Sequence, residues 1–174
     1  APPARDDPRS SRVRAFRIAL RKHGATTRDV LSGISGYLTD GRWHTKGRYL
    51  DYAAEALSLA VLERLVHYKR FDGLQPHVLC AMDIPDGAIV EVPTVPPKWD
   101  GVDPLPAAQA LGNAWCDRKV SPAMRVPSAV TPGEFNLLLN GRHPAWRWSW
   151  IAAPVPFTFD GRLRELIGTA RRRT

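Results

Sequence analysis

Residues 53–68, AAEALSLAVLERLVHY, are rich in Ala, Leu and Glu and contain neither Gly nor Pro. Ala, Leu and Glu have high helix propensity, whereas Gly and Pro are the residues that interrupt a helix. The stretch therefore predicts a helix. Apolar residues would cover nearly all sides of that helix, which indicates that most of it packs against the rest of the protein.

Glu63 is the acidic residue that breaks this apolar surface. It follows Leu59 and Ala60 by one helical turn, so we expect its carboxylate to be at least partly buried. Burying an unpaired carboxylate costs several kcal/mol, which is large against a total stability of ~5–15 kcal/mol. Glu63 is therefore a candidate acid, base or stabiliser of positive charge. The alternative is a structural ion pair with Arg64, Lys69 or a more distant Arg.

Short apolar segments on either side of the helix, bounded by Pro, Gly and Asp, predict strands. A weak helix or loop is expected at residues 29–38, a short helix at 107–116, and a long surface loop at 93–106, which holds five prolines. The predicted strands are residues 13–17, 78–84, 88–92, 124–126, 135–139 and 148–151. Because helices and strands do not alternate regularly, the sequence predicts an α+β fold with a mixed, strand-rich core.

The composition is that of one globular domain. The chain has 174 residues, of which 44% are hydrophobic, enough for one sizeable core. We place a single compact domain at residues 13–170, between a polar tail at 1–12 and a basic tail at 171–174. The net charge of +8 favours an anionic partner.

Several kinds of site and location are disfavoured by the sequence. Cys80 and Cys116 have no Cys or His nearby at metal-ligand spacing, so neither a disulfide framework nor a metal site is expected. The five histidines are interpreted as unmetallated. Residues 1–14 lack the apolar core of a signal peptide, and no apolar run approaches the ~18 residues that span a bilayer. We expect a cytoplasmic protein that does not bind membranes.

A basic loop precedes the helix. Residues 40–48, DGRWHTKGR, contain two glycines and several cations, and a guanidinium such as that of Arg42 can clamp a phosphate group through two hydrogen bonds. The loop matches neither a Walker A nor a dinucleotide-binding fingerprint, so a solvated basic turn remains the alternative.

Two further features lie in the second half of the chain. Ser128 follows a predicted strand next to Pro127 but lacks a nucleophile-elbow pattern, which favours a hydrogen-bonding role over nucleophilic attack. Trp146, Trp148 and Trp150 alternate, which would place three indoles on one face of a strand. Core packing is the favoured use of these rings, and stacking on bases is the alternative.

A series of short motifs runs in order along nearly the whole chain. They are FRI at 16–18, GRWH at 41–44, YAA at 52–54, LAVLERLVH at 59–67, GNAW at 112–115, VPSAV at 126–130, NLLLN at 136–140, HP at 143–144 and FDGRL at 159–163. In this order they resemble the RES-domain family, which is named for an Arg, a Glu and a Ser and forms the toxin half of bacterial toxin–antitoxin pairs.

The resemblance implies an enzyme that consumes NAD on a fold similar to that of ADP-ribosyltransferase toxins. Family members cleave the bond between nicotinamide and ribose and pass ADP-ribose to water, to inorganic phosphate or to a protein. By correspondence, Arg42, Glu63 and Ser128 are the catalytic candidates. Arg42 would bind the diphosphate, Tyr52 the nicotinamide and Ser128 the dinucleotide, with Arg17 as a second cation.

The resemblance also implies the partners of the chain. The expected protein partner is an antitoxin with a helix-turn-helix DNA-binding domain, whose C-terminal segment blocks the active-site cleft. NAD would be a substrate, so no separate cofactor or metal is expected. The chain departs from the family pattern at Asp40–Gly41, where a double glycine is common, at His44, where Asn is frequent, and at Gly141, where proline is common.

Two other functions are compatible with parts of this pattern. Transfer of ADP-ribose to a host protein would use the same residues as hydrolysis or phosphorolysis. A basic nucleic-acid-binding module would use the positive charge and the tryptophans. The basic residues cluster strongly only at the C-terminal tail, so direct nucleic-acid binding is not expected.

Overall fold

The computed structural model describes residues 11–67 and 76–163, and within them the chain forms one mixed seven-stranded sheet with helices on its surface. The strands are β1 (Arg12–Leu20), β2 (Asp51–Ala54), β3 (His77–Pro85), β4 (Ile89–Glu91), β5 (Ala123–Pro127), β6 (Phe135–Leu139) and β7 (Val155–Phe157). The helices are α1 (Thr27–Val30), α2 (Ile34–Leu38), α3 (Leu57–Leu65) and α4 (Pro106–Asp117). The order across the sheet is β4-β5-β6-β2-β1-β3-β7, and the pairing is antiparallel except between β4 and β5. The predicted α+β class is confirmed.

Most predicted elements are present near their expected positions. The strands expected at 13–17, 78–84, 88–92, 124–126 and 135–139 are β1, β3, β4, β5 and β6. The helix expected at 107–116 is α4, and the proline-rich segment before it contains no regular element. The weak helix at 29–38 is two short helices separated by Gly33, whose φ of 69° is a left-handed conformation.

The long helix begins later than its sequence predicts. Residues 51–54 form β2, and α3 starts only at Leu57. Ala53 and Ala54 are buried, and β2 pairs with both β1 and β6. Pairing inside the sheet therefore overrides the helix propensity of these alanines. The helix also ends earlier than predicted, at Leu65, whereas the predicted end, Tyr68, lies outside the described residues.

The strand predicted at residues 148–151 is wrong. Trp148–Trp150 is a 3₁₀ turn, and Ile151 makes only an isolated bridge with Met82. The packing interpretation holds, because Trp146 and Trp150 are buried and meet edge to face, with ring centroids 5.6 Å apart. Strand β7 was not predicted, since its middle residue is Pro156, and it lies at an edge of the sheet, where proline is tolerated.

The two faces of the sheet pack against different layers. Residues opposite each other in neighbouring strands share a face, and successive residues alternate between faces. One face carries Tyr52 and Ala54 and packs against α3 and α4. The other carries Ala53 and packs against the buried tryptophans Trp146 and Trp150. No helix within 11–67 or 76–163 is long and apolar enough to cross a membrane.

The predicted tails fall almost entirely outside the described residues. Strand β1 begins at Arg12, the last residue of the predicted N-terminal tail. Residues 1–10 and 164–174, including the basic tail at 171–174, are not among those that the structure describes.

Candidate functional site

The two oxygens of the Glu63 carboxylate differ in their hydrogen bonds to the described residues: one accepts two, and the other accepts none. Glu63 lies on α3 and is half-buried, as its place in an apolar helix predicts. Its Oε1 accepts hydrogen bonds from Ser128 Oγ at 2.8 Å and from Asn136 Nδ2 at 2.6 Å. Its Oε2 accepts no hydrogen bond from any residue in the described ranges. Within the described residues, the carboxylate is thus fixed through Oε1, and Oε2 is left for another group.

The hydroxyl group of Ser128 makes three hydrogen bonds within the protein. It is 2% exposed and lies directly after β5. Its hydroxyl donates to Glu63 and accepts from the N–H groups of Val130 at 3.0 Å and Thr131 at 3.2 Å. The hydroxyl proton therefore points at the carboxylate, which agrees with a hydrogen-bonding residue and not with a nucleophile.

Asn136 is the site residue that the sequence analysis did not single out. It lies on β6 opposite Val126 of β5 and Ala54 of β2, on the face of the sheet that carries α3. The signal was a single amide in the otherwise apolar strand FNLLL. Its role could not be read from that signal, because the contact with Glu63 depends on the register of three strands and on where α3 crosses them.

The phenol of Tyr52 is influenced by the charges of both Arg42 and Glu63. Burial raises the pKa of its phenol far above the ordinary value, the negative charge of Glu63 raises it further, and the Trp43 N–H and the Arg42 guanidinium lower it. The phenol therefore stays protonated, within electrostatic range of both Arg42 and Glu63. Its oxygen accepts from Trp43 N–H at 3.3 Å and lies 2.7 Å from His44 Nδ1.

Arg42 has a positive charge that no carboxylate of the described chain neutralises. Its Nη1 donates to two carbonyl oxygens of the proline-rich loop, Trp99 O at 2.7 Å and Gly101 O at 2.9 Å. Both acceptors are neutral, and Nε and Nη2 have no acceptor among the described residues. Arg42 is thus oriented by the loop while two donor groups remain available for an anion.

Helix α4 holds the loop that carries Arg42. Gln109 Nε2 donates to Gly41 O at 3.0 Å, and Asn113 Oδ1 accepts from Thr45 N–H at 3.0 Å. A Cβ at Gly112 would lie 1.8 Å from Trp43 O, so only glycine permits this approach. The contacts between α4 and the loop therefore fix the position of the segment that carries Arg42.

Asp40, which departs from the family's double glycine, also closes this loop. Its Oδ1 accepts from the Lys46 N–H at 2.8 Å. The carboxylate is therefore engaged by the backbone of the loop itself, next to the residues that contact α4.

The side chain of Arg17 does not lie with the other candidate site residues. In the register of β1 with β2, Phe16 lies opposite Ala54, so Arg17 points to the other face of the sheet. Its guanidinium donates to Val30 O at 2.9 Å and Tyr52 O at 2.8 Å, and forms an ion pair with Asp51 at 2.7 Å. Arg17 therefore contacts Tyr52 only through the backbone.

Metal-ligating residues do not assemble in the described part of the chain. No group of three or more His, Cys, Asp or Glu is close enough to hold a metal ion there. Cys80 and Cys116 are free thiols, and burial raises the pKa of Cys80 to about 11. Neither thiol lies at the site formed by Arg42, Tyr52, Glu63 and their partners.

The fold matches that of a chain in a solved complex. A chain of the crystal structure of the M. tuberculosis MbcT–MbcA toxin–antitoxin complex matches with a TM-score of 0.66, over 91% of this chain and 90% of that chain. The two sequences are 14% identical, so this likeness concerns the fold.

Sequence comparison identifies the family. The RES domain family model matches residues 14–160. The chain is 35% identical over 153 residues to Toxin Res of Yersinia enterocolitica, covering 86% of this chain and 98% of that protein. It is 35% identical over 136 residues to Toxin Res of Pseudomonas putida, covering 76% and 92%. The Prs ADP-ribosylating toxin of a Sphingobium species is 33% identical over 121 residues, covering 67% and 75%. This chain belongs to the RES-domain family of toxins, as its motifs predicted.

Proposed function

We propose that this RES-domain toxin depletes NAD by cleaving the bond between nicotinamide and ribose, with water or inorganic phosphate as the acceptor of ADP-ribose. The observation that carries the proposal is the carboxylate of Glu63, of which one oxygen is fixed by Ser128 and Asn136 and the other accepts no hydrogen bond from the described part of the chain. Such a fixed, half-buried anion suits a reaction in which positive charge develops on a sugar.

A negative charge beside the ribose would stabilise the transition state of this reaction. When the C1′–N bond breaks, its electron pair moves to the nicotinamide nitrogen and the ribose becomes an oxocarbenium-like cation. Oε2 of Glu63 would face this cation, and the low local dielectric strengthens their attraction. The acceptor oxygen then bonds to C1′, and Glu63 can take its proton as a general base.

The other residues would bind and orient the dinucleotide. Arg42 would bind the diphosphate through Nε and Nη2, for which residues 11–67 and 76–163 supply no acceptor. Tyr52 would lie against the nicotinamide ring. Ser128, whose hydroxyl is already used within the protein, would act by holding Glu63 and not by direct contact with the dinucleotide, and Asn136 would act in the same way. In this proposal Arg17 supports strand β2 and does not bind NAD.

Transfer of ADP-ribose to a host protein is the second candidate. It is favoured by one specific observation, the similarity of this chain to a protein named Prs ADP-ribosylating toxin. The two functions share every residue of the site and differ only in the acceptor.

The partner and location follow from the same proposal. An antitoxin with a helix-turn-helix domain would cover the cleft through its C-terminal segment, and the pair would act in the bacterial cytoplasm. Support comes from the matching fold, whose crystal structure is described as a toxin–antitoxin complex.

The test is incubation of the purified protein with NAD, with and without inorganic phosphate, followed by separation of the products. Free ADP-ribose indicates hydrolysis, and its phosphorylated form, dependent on added phosphate, indicates phosphorolysis. Label from the adenine half on a polypeptide selects transfer to protein. If no nicotinamide is released under any of these conditions, the proposed function is wrong.

A further inference from the structure

We propose that His44, in its neutral form, is a positioning residue for Tyr52: its Nδ1 accepts the phenolic O–H and directs that proton away from the substrate. This inference rests on the proposed function, because it concerns how Tyr52 faces bound NAD. His44 is 2% exposed and is not itself placed to touch the substrate.

The hydrogen-bond partners of the imidazole define its tautomer. Nε2 lies 3.2 Å from Gly36 O, and because a carbonyl only accepts, Nε2 must carry the hydrogen. Nδ1 of a neutral ring is then an acceptor, and its partner at 2.7 Å is the Tyr52 hydroxyl. Trp43 N–H donates to the same phenol oxygen at 3.3 Å, which leaves the phenolic O–H to donate to Nδ1.

Two glycines confine the ring. A Cβ at Gly41 would lie 2.5 Å from Cε1 of His44 and 2.7 Å from the Tyr52 hydroxyl oxygen. A Cβ at Gly36 would lie 3.0 Å from Nε2. The imidazole therefore fills a slot that only glycines leave open, and it cannot turn to exchange its two nitrogens without moving the loop.

Protonation of His44 would reverse the contact. The new Nδ1–H would point at the phenol oxygen, so the Tyr52 proton would have to turn elsewhere, toward the side occupied by Arg42 and Glu63. A phenol that accepts suits the cationic nicotinamide of NAD, whereas one that donates into the site does not. Neutral His44 thus keeps Tyr52 an acceptor toward the substrate.

The surroundings of His44 favour the neutral form. Burial lowers the pKa of His44 below its ordinary value of 6.5, and the positive charge of Arg48 lowers it further. The nearby backbone carbonyls of Gly36 and Thr39 and the negative charge of Asp40 oppose this shift. The titratable groups that face the ring are therefore Asp40, Arg48 and Tyr52, and the lowered pKa keeps the imidazole neutral near pH 7.

The test compares pH profiles of kcat/KM for nicotinamide release. His44→Asn places an amide oxygen near the position of Nδ1 and does not titrate, whereas His44→Leu removes the acceptor. We expect the wild-type rate to fall in acid, His44→Asn to stay within a few-fold of wild type at neutral pH with its acid limb moved to lower pH, and His44→Leu to lose about tenfold or more at every pH. His23→Asn, which changes an exposed histidine, should match the wild type. An unchanged acid limb in His44→Asn, or full activity in His44→Leu, would overturn the proposal.

A second measurement, made on the wild type without NAD, tests the inference even if a variant fails to fold. Nitrogen chemical shifts of the wild-type histidine rings should show His44 as the Nε2–H tautomer at neutral pH. An Nδ1–H tautomer would contradict the inference whatever the kinetics show. If the wild type released no nicotinamide, the proposed function would fail while the tautomer still reported the contact between His44 and Tyr52, so the two failures are distinguishable.

Discussion

At the scale of one residue, the two carboxylate oxygens of Glu63 have different surroundings and therefore different proposed roles. Both donors, Ser128 and Asn136, reach the same oxygen, so the second oxygen keeps its negative charge unshared within the described chain. The sequence predicted an at least partly buried carboxylate, and it singled out Ser128 separately, as a hydrogen-bonding residue after a predicted strand, without joining the two. It did not predict which oxygen would be held.

Asn136→Ala removes one of the two donors to Glu63. We expect kcat to fall ~10- to 100-fold with a smaller change in KM, because Asn136 acts through the carboxylate. In a Glu63→Gln background the same change should have much less effect, since the two residues act as one unit. Steady-state kinetics of the four proteins measure this coupling. Asn140→Ala, at the other end of β6, is the matched control for loss of a buried amide and should leave kcat near that of wild type.

Arg42→Ala removes the proposed diphosphate ligand. The main effect should be a rise in KM for NAD of ~10- to 100-fold, the value of one or two charge-assisted hydrogen bonds. Arg162→Ala, which removes an exposed arginine paired with Asp160, controls for the lost net charge. A change confined to kcat would contradict the diphosphate role.

At the scale of elements, a buried ion pair joins the first two strands to the turn between α1 and α2. Arg17 on β1 binds Asp51 on β2, and Asp51 also accepts from Gly33 N–H at 2.7 Å. Burial raises the pKa of Asp51, while Arg17 and the Gly33 N–H lower it. This pair lies on the sheet face away from Glu63. It therefore stabilises β2, which carries Tyr52, from the face opposite to the candidate site.

Arg17→Ala should therefore act on stability. It leaves Asp51 buried without its cation, and we expect the free energy of unfolding to fall by ~3–5 kcal/mol in urea titrations. Asp51→Asn, which stays neutral and retains an acceptor, should compensate part of the loss when combined with it. If Arg17→Ala instead weakened NAD binding with no loss of stability, a direct role for Arg17 in binding would be restored.

The elements that sequence alone predicted are those whose composition and position agree. Strand β6 and helix α4 fall close to their predicted bounds because their apolar runs end at turn-forming or polar residues. Strand β2 was taken for helix because alanine favours helices, and only its pairing on both sides decides otherwise. The contact of His44 with Tyr52 joins residues eight positions apart through a loop shape that no periodicity describes.

At the scale of the whole molecule, the candidate site residues and the residues that stabilise the fold lie on opposite faces of the sheet. Glu63, Tyr52 and Asn136 lie on the face covered by α3 and α4, whereas the ion pair of Arg17 with Asp51 and the tryptophan core lie on the other. The net charge of +8 adds a long-range attraction for the doubly negative diphosphate of NAD. This attraction raises the rate of encounter, while Arg42 supplies the specific contact.

The stability of the whole molecule should depend on pH through His44. Burial lowers the pKa of His44 in the folded state below 6.5, so the unfolded chain binds more protons in mildly acidic solution. The free energy of unfolding should therefore fall as the pH drops below about 6.5. His44→Asn should show a smaller fall in urea titrations over the same range. The comparison between the two proteins cancels the contribution of Asp51, whose raised pKa acts in the opposite direction. Identical pH dependence would contradict a neutral, buried His44.

The release of nicotinamide from NAD by the wild type and by Glu63→Gln tests the central claim most directly. Gln keeps the size of the side chain and its contacts with Ser128 and Asn136 but removes the negative charge, so fold and NAD affinity should persist while turnover falls by orders of magnitude. Glu91→Gln, which changes an exposed carboxylate on β4, should retain wild-type turnover. Turnover by Glu63→Gln close to that of wild type would remove Glu63, and with it the proposed mechanism, from the action of this toxin.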